Sequence, residues 1–527
     1  MVFIIKISRK YLSAKGLLQT VYEHFKSISI TGKTPLDNSS ISIADCLMSG
    51  LAIFGLKFPS LLKFDEQRKE TPIKHNLKTL YNIEQAPSDT YMRERCDEVD
   101  PKYIRTAFKK IMSHVQRGNG LKQFEYLDSH YLLAGDGTGF FSSSKVKCEN
   151  CCVKHHNKCH VKIIGYKPDD LSAYKKNTYL LIHNSKQDWL IWFINSDKEK
   201  TIVEIDSILN LKILLTKMRV NLSTKEKQQI KLVVSTDYNL KQTDAKISFY
   251  HNMFCAAIVH PNLKLVLPLA PEPIMKTDGS SKNDCEYNAA KRMYADARRE
   301  HPHLKFIVVE DSIASNVPHL TDLKNLNMRY IVGVKPGDHK FLFNFIKDAL
   351  CNEYSHTTDD GVTHTYRYLN DVQLNKSHSK FKTNFLEYWE TSPNGKSQHF
   401  CWVTDILITE KNIYQIMQGG RVNWKIENNT FNTLKNQNYH FSHNFGHGKK
   451  HLCTVFSMLM MLAFFIDQVQ ELYCNLFKEA RLKFKSRTSL WEKIRGMTKE
   501  FYIDSWDDLF KSIAVGYEKS RLAPNTS

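Results

Sequence analysis

From Phe124 onward the chain is dominated by short apolar runs bounded by Gly, Pro, Asn or Asp, which is the pattern of β-strands. The runs are YLLAGDGTGFF, MFCAAIVH, LKLVLPL, LKFIVVED and MRYIVGVK. A helical segment, NDCEYNAAKRMYADARRE, separates the third run from the fourth. Strands alternating with helices build a mixed sheet with both faces covered. We therefore expect an α/β core.

The first 120 or so residues are predicted to be helical, because YLSAKGLLQTVYEHFKSI and ISIADCLMSGLAIFGL repeat apolar residues at helical spacing. A further short helix meets a turn ending at Pro87, after which Ser88 or Asp89 can cap a second helix carrying Arg93 and Arg95. Two helices across a tight turn form either a helix-turn-helix, which reads the major groove, or an ordinary helical hairpin. We expect Arg93 and Arg95 to contact DNA.

Two segments look inserted into the predicted core. Residues 161–245 separate strands that would otherwise be neighbours, and residues 342–398 are polar and strand-rich. The predicted division of the chain is 1–120 helical and DNA-binding, 121–160 first part of the core, 161–245 atypical insertion, 246–341 second part of the core, 342–398 β-rich insertion domain, 399–475 end of the core with a Glu-bearing helix, and 476–527 C-terminal helical region.

The charge balance favours a polyanionic partner. Lys and Arg total 74 against 55 Asp and Glu, a net charge of +19. DNA fits best because each phosphate contact releases counterions, although an anionic membrane surface or a ribosome also attracts a basic protein. The 12 cysteines, including Cys46, Cys255, Cys401 and Cys453, favour reduced core thiols over a disulfide framework.

The sequence predicts a cytoplasmic protein that does not enter the membrane. The first ten residues, MVFIIKISRK, are too short and wrongly ordered for a signal peptide. The most apolar stretch, TVFSMLMMLAFFI, falls short of the roughly 20 residues that span a bilayer. We expect it to form a buried helix.

Three carboxylates have positions that suit metal-dependent chemistry. Asp136 lies in a strand between glycines, Asp311 ends the run FIVVED, and Glu427 lies on an amphipathic helix. An acidic residue at the end of an apolar strand is costly without a partner, and hard cations prefer oxygen ligands. Two metal ions bridged by carboxylates catalyse in-line phosphoryl transfer. Each carboxylate taken alone is more often a turn or N-cap residue.

Six stretches resemble bacterial insertion-sequence transposases of the DDE type, whose ribonuclease-H-like core is interrupted by a β-strand insertion domain. They are LAGDGTGFFSS, HPNLKLVLPLAPEPI, KNDCEYNAAKR, VVEDSIASNVPHL, RYIVGVKPGDH and WKIENNTFNTLKNQNYHFSHNFGHG. The resemblance covers most of the chain outside 161–245. It implies that Asp136, Asp311 and Glu427 are the catalytic triad and bind two Mg²⁺ or Mn²⁺ ions. The partner it implies is double-stranded DNA, as terminal inverted repeats and target, bound by a homodimer.

The residues around Glu427 depart from the pattern of these enzymes. Many of them carry an Arg four residues before the Glu, a Tyr seven before and a Lys seven after, where this chain has Asn423, Gly420 and Leu434. Arg421 and Lys435 lie one or two places away, so the phosphate-holding role can pass to them. Trp424 could stack on a nucleotide, but we interpret it as a core residue.

Other clusters compete for metal. The segment CENCCVKHHNKCH, from Cys148 to His160, has one half of a zinc motif but lacks the usual second pair downstream. We interpret the histidines of HFSHNFGHGKKH as a polar, DNA-facing loop; they are His440, His443 and His447. Nearby acids rival the triad as metal ligands: Asp128, Asp284, Glu286 and Glu310. Glu310 is expected to point to the opposite face from Asp311, because strand side chains alternate.

Three functions remain open from the sequence. The first is an active transposase that cleaves the ends of its element and joins them to target DNA. The second is a DNA-binding relic, favoured by the 161–245 segment and by the missing Arg and Lys. The third is a related nuclease without strand transfer. Retention of all three carboxylates favours activity or a recent loss of it.

Overall fold

The computed structural model describes residues 10–28, 41–156, 160–164, 178–183, 189–194, 200–205, 246–276, 284–443, 445–516 and 522–524. The chain divides into two compact units. Unit 1 comprises Met1–Phe141, Lys147–Cys152 and His251–Ser527, and unit 2 comprises Ser142–Val146 and Val153–Tyr250.

The described N-terminal part of unit 1 is helical, as predicted. Its helices are α1 (Ala14–Lys26), α2 (Ile43–Gly55), α3 (Leu61–Gln67), α4 (Thr71–Tyr81), α5 (Asp89–Asp97) and α6 (Lys102–Arg117). Of the two possible caps of α5, Ser88 is the one used: its side chain accepts a hydrogen bond from the backbone N of Tyr91. Such a cap satisfies one of the free amides at a helix start.

The fold is mixed α/β, with one large sheet at its centre. The first strands are β1 (Glu125–Tyr126), β2 (His130–Ser143), β3 (Cys152–His156), β4 (His160–Ile164), β5 (Thr178–His183), β6 (Trp189–Ile194), β7 (Lys200–Ile205), β8 (Lys246–Val259), β9 (Leu267–Pro268) and β10 (Glu272–Ile274). They are followed by α7 (Glu286–Glu300), β11 (Phe306–Glu310), α8 (Val317–Asn325), β12 (Arg329–Gly333) and α9 (Lys340–Asp348).

Strand β2 lies between β8 and β11, in the part of the sheet with the order β10-β8-β2-β11-β12. Strand β11 runs parallel to both of its neighbours, β2 and β12. All five residues of β11 are buried, which explains why its sequence is a continuous apolar run closed by Glu310. The predicted strand LKLVLPL is wrong in length, since only Leu267 and Pro268 pair there. Beyond this pair, the backbone N of Leu269 still donates to the carbonyl oxygen of Ala256 at 2.9 Å.

The strand-rich segment after α9 extends the same sheet. It forms β13 (Asn352–Thr357), β14 (Thr363–Gln373), β15 (Lys382–Thr391) and β16 (Ser397–Thr404). These strands pair in sequence as an antiparallel meander, and β16 then pairs antiparallel with β12. Strand β16 spans the boundary that the sequence places between residues 398 and 399.

The remaining elements of unit 1 are mostly helical. They are α10 (Ile413–Arg421), a π-helix (Ile426–Phe431), α11 (Asn432–Asn436), α12 (Leu452–Tyr473), α13 (Asn475–Leu482), α14 (Arg487–Glu500), β17 (Phe501–Tyr502), α15 (Trp506–Val515) and β18 (Ala523–Pro524). In the described part of the chain, α12 is the one helix long and apolar enough to cross a membrane, and its apolar window is entirely buried inside the protein. The apolar stretch is therefore a core helix, as predicted.

A buried ion pair joins the N-terminal helices to α12. Lys57 Nζ lies 2.6 Å from Asp467 Oδ2, and the Tyr439 hydroxyl also donates to that carboxylate. Lys57 lies over the rings of Tyr439 and Trp491. A buried charge is tolerated only when it is paired and hydrogen-bonded. This contact therefore favours one position of α12 against the N-terminal helices of unit 1.

Unit 2 has a sheet of its own. Strands β4, β5, β6 and β7 are adjacent in that order, with β4 parallel to β5 and the other pairs antiparallel. The segments YLLIHNSKQDWLIWFI and TIVEIDSILNLKILL, which the sequence leaves between strand and helix, supply β5, β6 and β7 where they are described.

Candidate active site

Two predicted carboxylates lie on neighbouring parallel strands and line one cavity: Asp136 within β2, and Asp311 directly after β11. In the register of β2 and β11, Val309 pairs with Ala134, and Asp311 and Asp136 each follow two residues later. Asp136 is half-buried and Asp311 is exposed. Loops that follow parallel strands gather at one edge of a sheet, which is where α/β proteins bind ligands.

Asp311 also has the ordinary structural role that the sequence allows. Its Oδ1 accepts a hydrogen bond from the backbone N of Ile313 at 2.9 Å and so caps a short 3₁₀ turn, Ser312–Ala314. The cap holds the carboxylate in one orientation at the rim of the cleft. Its second oxygen, Oδ2, has no hydrogen bond to any residue that the structure describes.

A third carboxylate, that of Glu286 at the start of α7, joins this edge. The backbone N of Gly137 donates to Asp136 Oδ1 at 2.7 Å and to Glu286 Oε1 at 3.2 Å. A Cβ atom on Gly137 would lie 2.4 Å from the Glu286 carboxyl group, so the glycine lets this side chain approach the backbone closely. We call Asp136, Glu286 and Asp311 the carboxylate cleft, since all three line one cavity.

The carboxylates of this edge act on one another electrostatically. Burial, together with the charges of Glu286, Asp311 and Glu427, raises the pKa of Asp136 to about 6. Desolvation, followed by the charges of Asp311 and Glu310, also raises the pKa of Glu286. Among the residues described, no lysine, arginine or histidine forms an ion pair with any of the four carboxylates Asp136, Glu286, Asp311 and Glu427. Negative charge is therefore concentrated here without compensation.

Glu427 lies on the π-helix and is exposed to solvent. It is not among the residues that line the carboxylate cleft, but its charge contributes to the raised pKa of Asp136. π-Helices are rare and occur frequently at functional sites. The predicted helix around Glu427 is present, but Glu427 lies in a π-helical turn instead of the expected α-helical one.

The rival acids fall into different environments. Glu310 is buried, accepts a hydrogen bond from the Tyr294 hydroxyl at 2.9 Å, and pairs with His319 Nε2 at 2.6 Å. Burial opposes protonation of His319, but the Glu310 carboxylate outweighs it and raises the pKa of that imidazole. Asp284 is buried against Arg292, and Asp128 is exposed before the opposite end of β2. Of the four rivals, Glu286 is the one that lies beside Asp136 and shares the Gly137 amide with it.

The residues predicted to hold DNA near Glu427 are partly engaged. Arg421 Nη1 pairs with Glu390 on β15, and its guanidinium lies over Phe400. Lys435 is exposed. The interpretation of Trp424 as a core residue is wrong, because 53% of it is exposed and it lines a groove with Arg421.

Lys425, the neighbour of Trp424, is buried instead. Its Nζ donates to the carbonyl oxygens of His260, Pro261 and Leu263 at 2.8, 2.9 and 2.5 Å. Burial lowers its pKa. The side chain that faces inward at this point of the helix is thus the lysine, which leaves the tryptophan outside.

The arginines of α5 form local ion pairs. Arg93 Nε lies 2.7 Å from Asp89 Oδ1, and Arg95 Nη1 lies 3.6 Å from Glu98 Oε2. Partly exposed pairs of this kind contribute little stability.

The cysteine and histidine clusters of the sequence are reorganised in the fold. Cys148 and Cys151 group with His251 and His447, and we call these four residues the Cys/His cluster. The interpretation of His447 as part of a DNA-facing loop is wrong, because it is buried; His443 is exposed. The side chains of His155, His156, Cys159 and His160 lie outside the described residues.

The donor sets suit different cations. The carboxylate cleft offers only oxygen atoms, which Mg²⁺ and Mn²⁺ prefer, and it is open to solvent.

The cysteines of the described residues are all free thiols.

Comparison with known proteins gives a limited result. No protein-family model and no curated protein matches this chain. Among solved structures, the chain is similar to piggyBac transposase in a cryo-EM structure of its synaptic complex with hairpin DNA, with a TM-score of 0.35 and 8% identity over 98% of this chain and 82% of that chain. A superposition of this quality carries no argument about function.

Proposed function

We propose that this chain is a DNA transposase of the DDE type, which cuts and rejoins DNA strands with two divalent metal ions held by Asp136, Asp311 and Glu427. The observation that carries the proposal is that Asp136 and Asp311 each follow the paired residues Ala134 and Val309 of neighbouring parallel strands by two positions, and that both line one cavity. The charge of Glu427 acts on the same site. Carboxylates without ion-pair partners in an open cleft suit a reaction that depends on divalent metal cations better than a structural role.

The strand order around this site supports a ribonuclease-H-like core. The strand that bears Asp136 lies between β8 and β11, and β10 and β12 complete the set on either side. The meander β13–β16 follows as the proposed insertion domain before Glu427. Residues 161–245 are the proposed atypical insertion, and the separate sheet of unit 2 is compatible with it.

A pair of Mg²⁺ or Mn²⁺ ions, when bound, supplies an activated oxygen nucleophile and stabilises the leaving oxygen. The chain's own residues do the rest. The Gly137 amide orients Asp136 and Glu286, and the 3₁₀ turn orients Asp311. Arg421, released from Glu390, and Lys435 bind phosphate oxygens, while the exposed ring of Trp424 stacks on a base.

The proposed substrates are the ends of an insertion sequence and a target duplex, handled in the bacterial cytoplasm by a homodimer. The net charge of +19 supports binding of this polyanion. Arg93 and Arg95 of α5 add contacts away from the cleft.

The test is to incubate the full chain with duplexes carrying the flanking element ends and Mg²⁺ or Mn²⁺, scoring cleavage and joining separately. Both products support a transposase. Cleavage without joining indicates a nuclease, and binding without cleavage indicates a relic.

Asp136→Asn, which keeps the shape and removes the charge, should abolish both products. Asp128→Asn is the matched control: Asp128 is exposed, lies away from the cleft, and has a positive φ of 50° that asparagine tolerates. Equal activity of the two variants would contradict the assignment of Asp136.

A further inference from the structure

The Cys/His cluster has the spacing of a tetrahedral metal site. The two sulfur atoms of Cys148 and Cys151 lie 3.8 Å apart, and His251 Nε2 lies 3.3 Å from each of them. His447 Nε2 lies 3.3 Å from Cys151 Sγ. A zinc ion with bonds of about 2.3 Å to sulfur and about 2.0–2.1 Å to nitrogen sets tetrahedral ligands about 3.8 Å apart for S–S and about 3.6 Å for S–N.

The chemistry of the four donors selects one cation. Two thiolates and two imidazoles form a soft set that suits zinc and disfavours Mg²⁺, Mn²⁺ and Ca²⁺. Cys151, His251 and His447 are buried, so four protein ligands close the site against water. A closed four-ligand site is structural, whereas a catalytic one keeps an open position.

The surrounding residues hold the ligands in place without a metal. The rings of Phe141 and His447 lie 4.1 Å apart, and Phe140 stacks on His251 at 5.7 Å. Asn150, which lies between Cys148 and Cys151 in the chain, donates from Nδ2 to the carbonyl of Lys450 at 2.8 Å. The cysteine turn is thus tied directly to the segment that carries His447.

Backbone contacts fix the His447 segment from the other side. The Asp97 carboxylate accepts hydrogen bonds from the backbone N atoms of four successive residues, Lys449, Lys450, His451 and Leu452. Gly448 has φ +68°, and a Cβ atom there would lie 2.2 Å from Asp97 Oδ1. The glycine beside His447 is therefore required for the segment to reach the cluster.

Cys152, the neighbour of Cys151, is not part of the Cys/His cluster. Cys152 is buried, but its Sγ donates to the carbonyl of Ile274 at 3.6 Å and lies outside the group of four. A second group, Glu387, His399 and Cys401, is already neutralised, because Arg367 Nη2 lies 2.5 Å from Glu387 Oε2. The Cys/His cluster has no such internal cation among the described residues.

We propose that Cys148, Cys151, His251 and His447 bind one structural Zn²⁺ ion. The ion links three distant parts of unit 1: the turn after β2, strand β8, and the loop between α11 and α12. It thereby fixes the chain that follows the Glu427 helix to the strand that carries Asp136. This proposal does not depend on the proposed DNA cleavage.

The first test is the metal content of the purified full chain, measured by inductively coupled plasma mass spectrometry. One zinc per chain is expected. After exchange with Co²⁺, the absorption spectrum should show thiolate-to-cobalt charge transfer and the strong visible bands of tetrahedral cobalt. Absence of stoichiometric zinc after reconstitution, another metal in its place, or an octahedral cobalt spectrum would overturn the proposal.

The second test uses matched variants. Cys151→Ser and His447→Gln should lose zinc and the cobalt bands, whereas Cys152→Ser and His443→Gln should keep one zinc per chain. If a ligand variant does not fold, the measurements on the unaltered chain still decide the matter. Retained stoichiometric zinc in a folded Cys151→Ser protein would remove Cys151 from the site.

Discussion

The carboxylate cleft and the Cys/His cluster both draw on β2 and the turn after it, yet they are opposite in every physical respect. The cleft offers oxygen donors, is open to solvent and gathers uncompensated negative charge. The cluster offers sulfur and nitrogen donors and is largely buried. Solvent access and donor type together distinguish a metal site suited to catalysis from one suited to a structural role.

The largest effect expected from this contrast is that of metal removal. Brief treatment with EDTA followed by gel filtration should abolish DNA cleavage, and added Mg²⁺ or Mn²⁺ should restore it fully. Zinc should remain bound throughout, because a site of four protein ligands, three of them buried, releases it slowly. The measurement is cleavage alongside zinc content before and after treatment. Loss of zinc before loss of cleavage would reverse the proposed roles of the two sites.

The next effect is the loss of a single carboxylate. Asp311→Asn should slow cleavage by about a thousandfold, which corresponds to about 4 kcal/mol of activation free energy. Single-turnover cleavage rates and an electrophoretic mobility assay would separate this loss from DNA binding, which should be unchanged. Glu427→Gln should behave in the same way. A Glu427→Gln rate within a few-fold of the unaltered chain would remove this residue from the site.

A smaller effect is expected at Glu286, which shares the Gly137 amide with Asp136. Glu286→Gln should reduce cleavage by about 10- to 100-fold, the usual cost of losing a residue that orients a metal ligand. Raising the Mg²⁺ concentration should recover part of the rate if affinity for the ion is what has fallen. Gly137→Ala offers a second perturbation, since its Cβ would collide with the Glu286 carboxyl group.

At Trp424 the expected effect is on binding rather than on chemistry. Trp424→Ala should weaken DNA affinity by about 1–3 kcal/mol if the ring stacks on a base, while Trp424→Phe should lose little. Stability should change little in either variant because half of the side chain is already exposed. Fluorescence anisotropy with labelled duplex gives the affinities. Identical affinities of the Ala and Phe variants would exclude stacking.

The smallest effect is predicted for α5. Arg93→Ala should weaken binding uniformly across DNA sequences and reduce the slope of log affinity against log salt by about one. Lys63→Ala, on the neighbouring helix and paired with Glu66, is the control. A sequence-dependent loss in Arg93→Ala would instead indicate base recognition and favour the helix-turn-helix interpretation.

What the sequence could predict is what depends on neighbouring residues. Most of the strands, the Ser88 cap, the buried helix α12, and the positions of Asp136 in a strand and of Asp311 after one are encoded in local sequence patterns. Alternation along a strand predicted that Glu310 points away from Asp311. In the structure Glu310 is engaged by Tyr294 and His319, but it lines the same cavity as Asp311.

What the sequence could not predict depends on residues brought together from far apart. His251 lies inside an apolar strand and His447 in a glycine-flanked loop, so neither could be matched to the Cys148 turn before the fold was known. Glu286 was one of several equivalent acids until the Gly137 amide joined it to Asp136. Trp424 was misassigned because a tryptophan on such a helix is usually a core residue, whereas here its neighbour Lys425 is the buried side chain.

That irregular turn changes how the residues around Glu427 should be counted. A π-turn closes i→i+5 bonds and so takes up one residue more than an α-turn. Two turns beyond Glu427, the aligned face therefore falls at the eighth residue, Lys435, which is exposed, and not at the seventh, Leu434, which is fully buried. Lys435 is one residue away from the expected seven-residue spacing in sequence, but it lies on the same helix face as Glu427 because of the π-turn. Deleting one residue between Glu427 and Lys435 would restore the seven-residue spacing and move the lysine off that face.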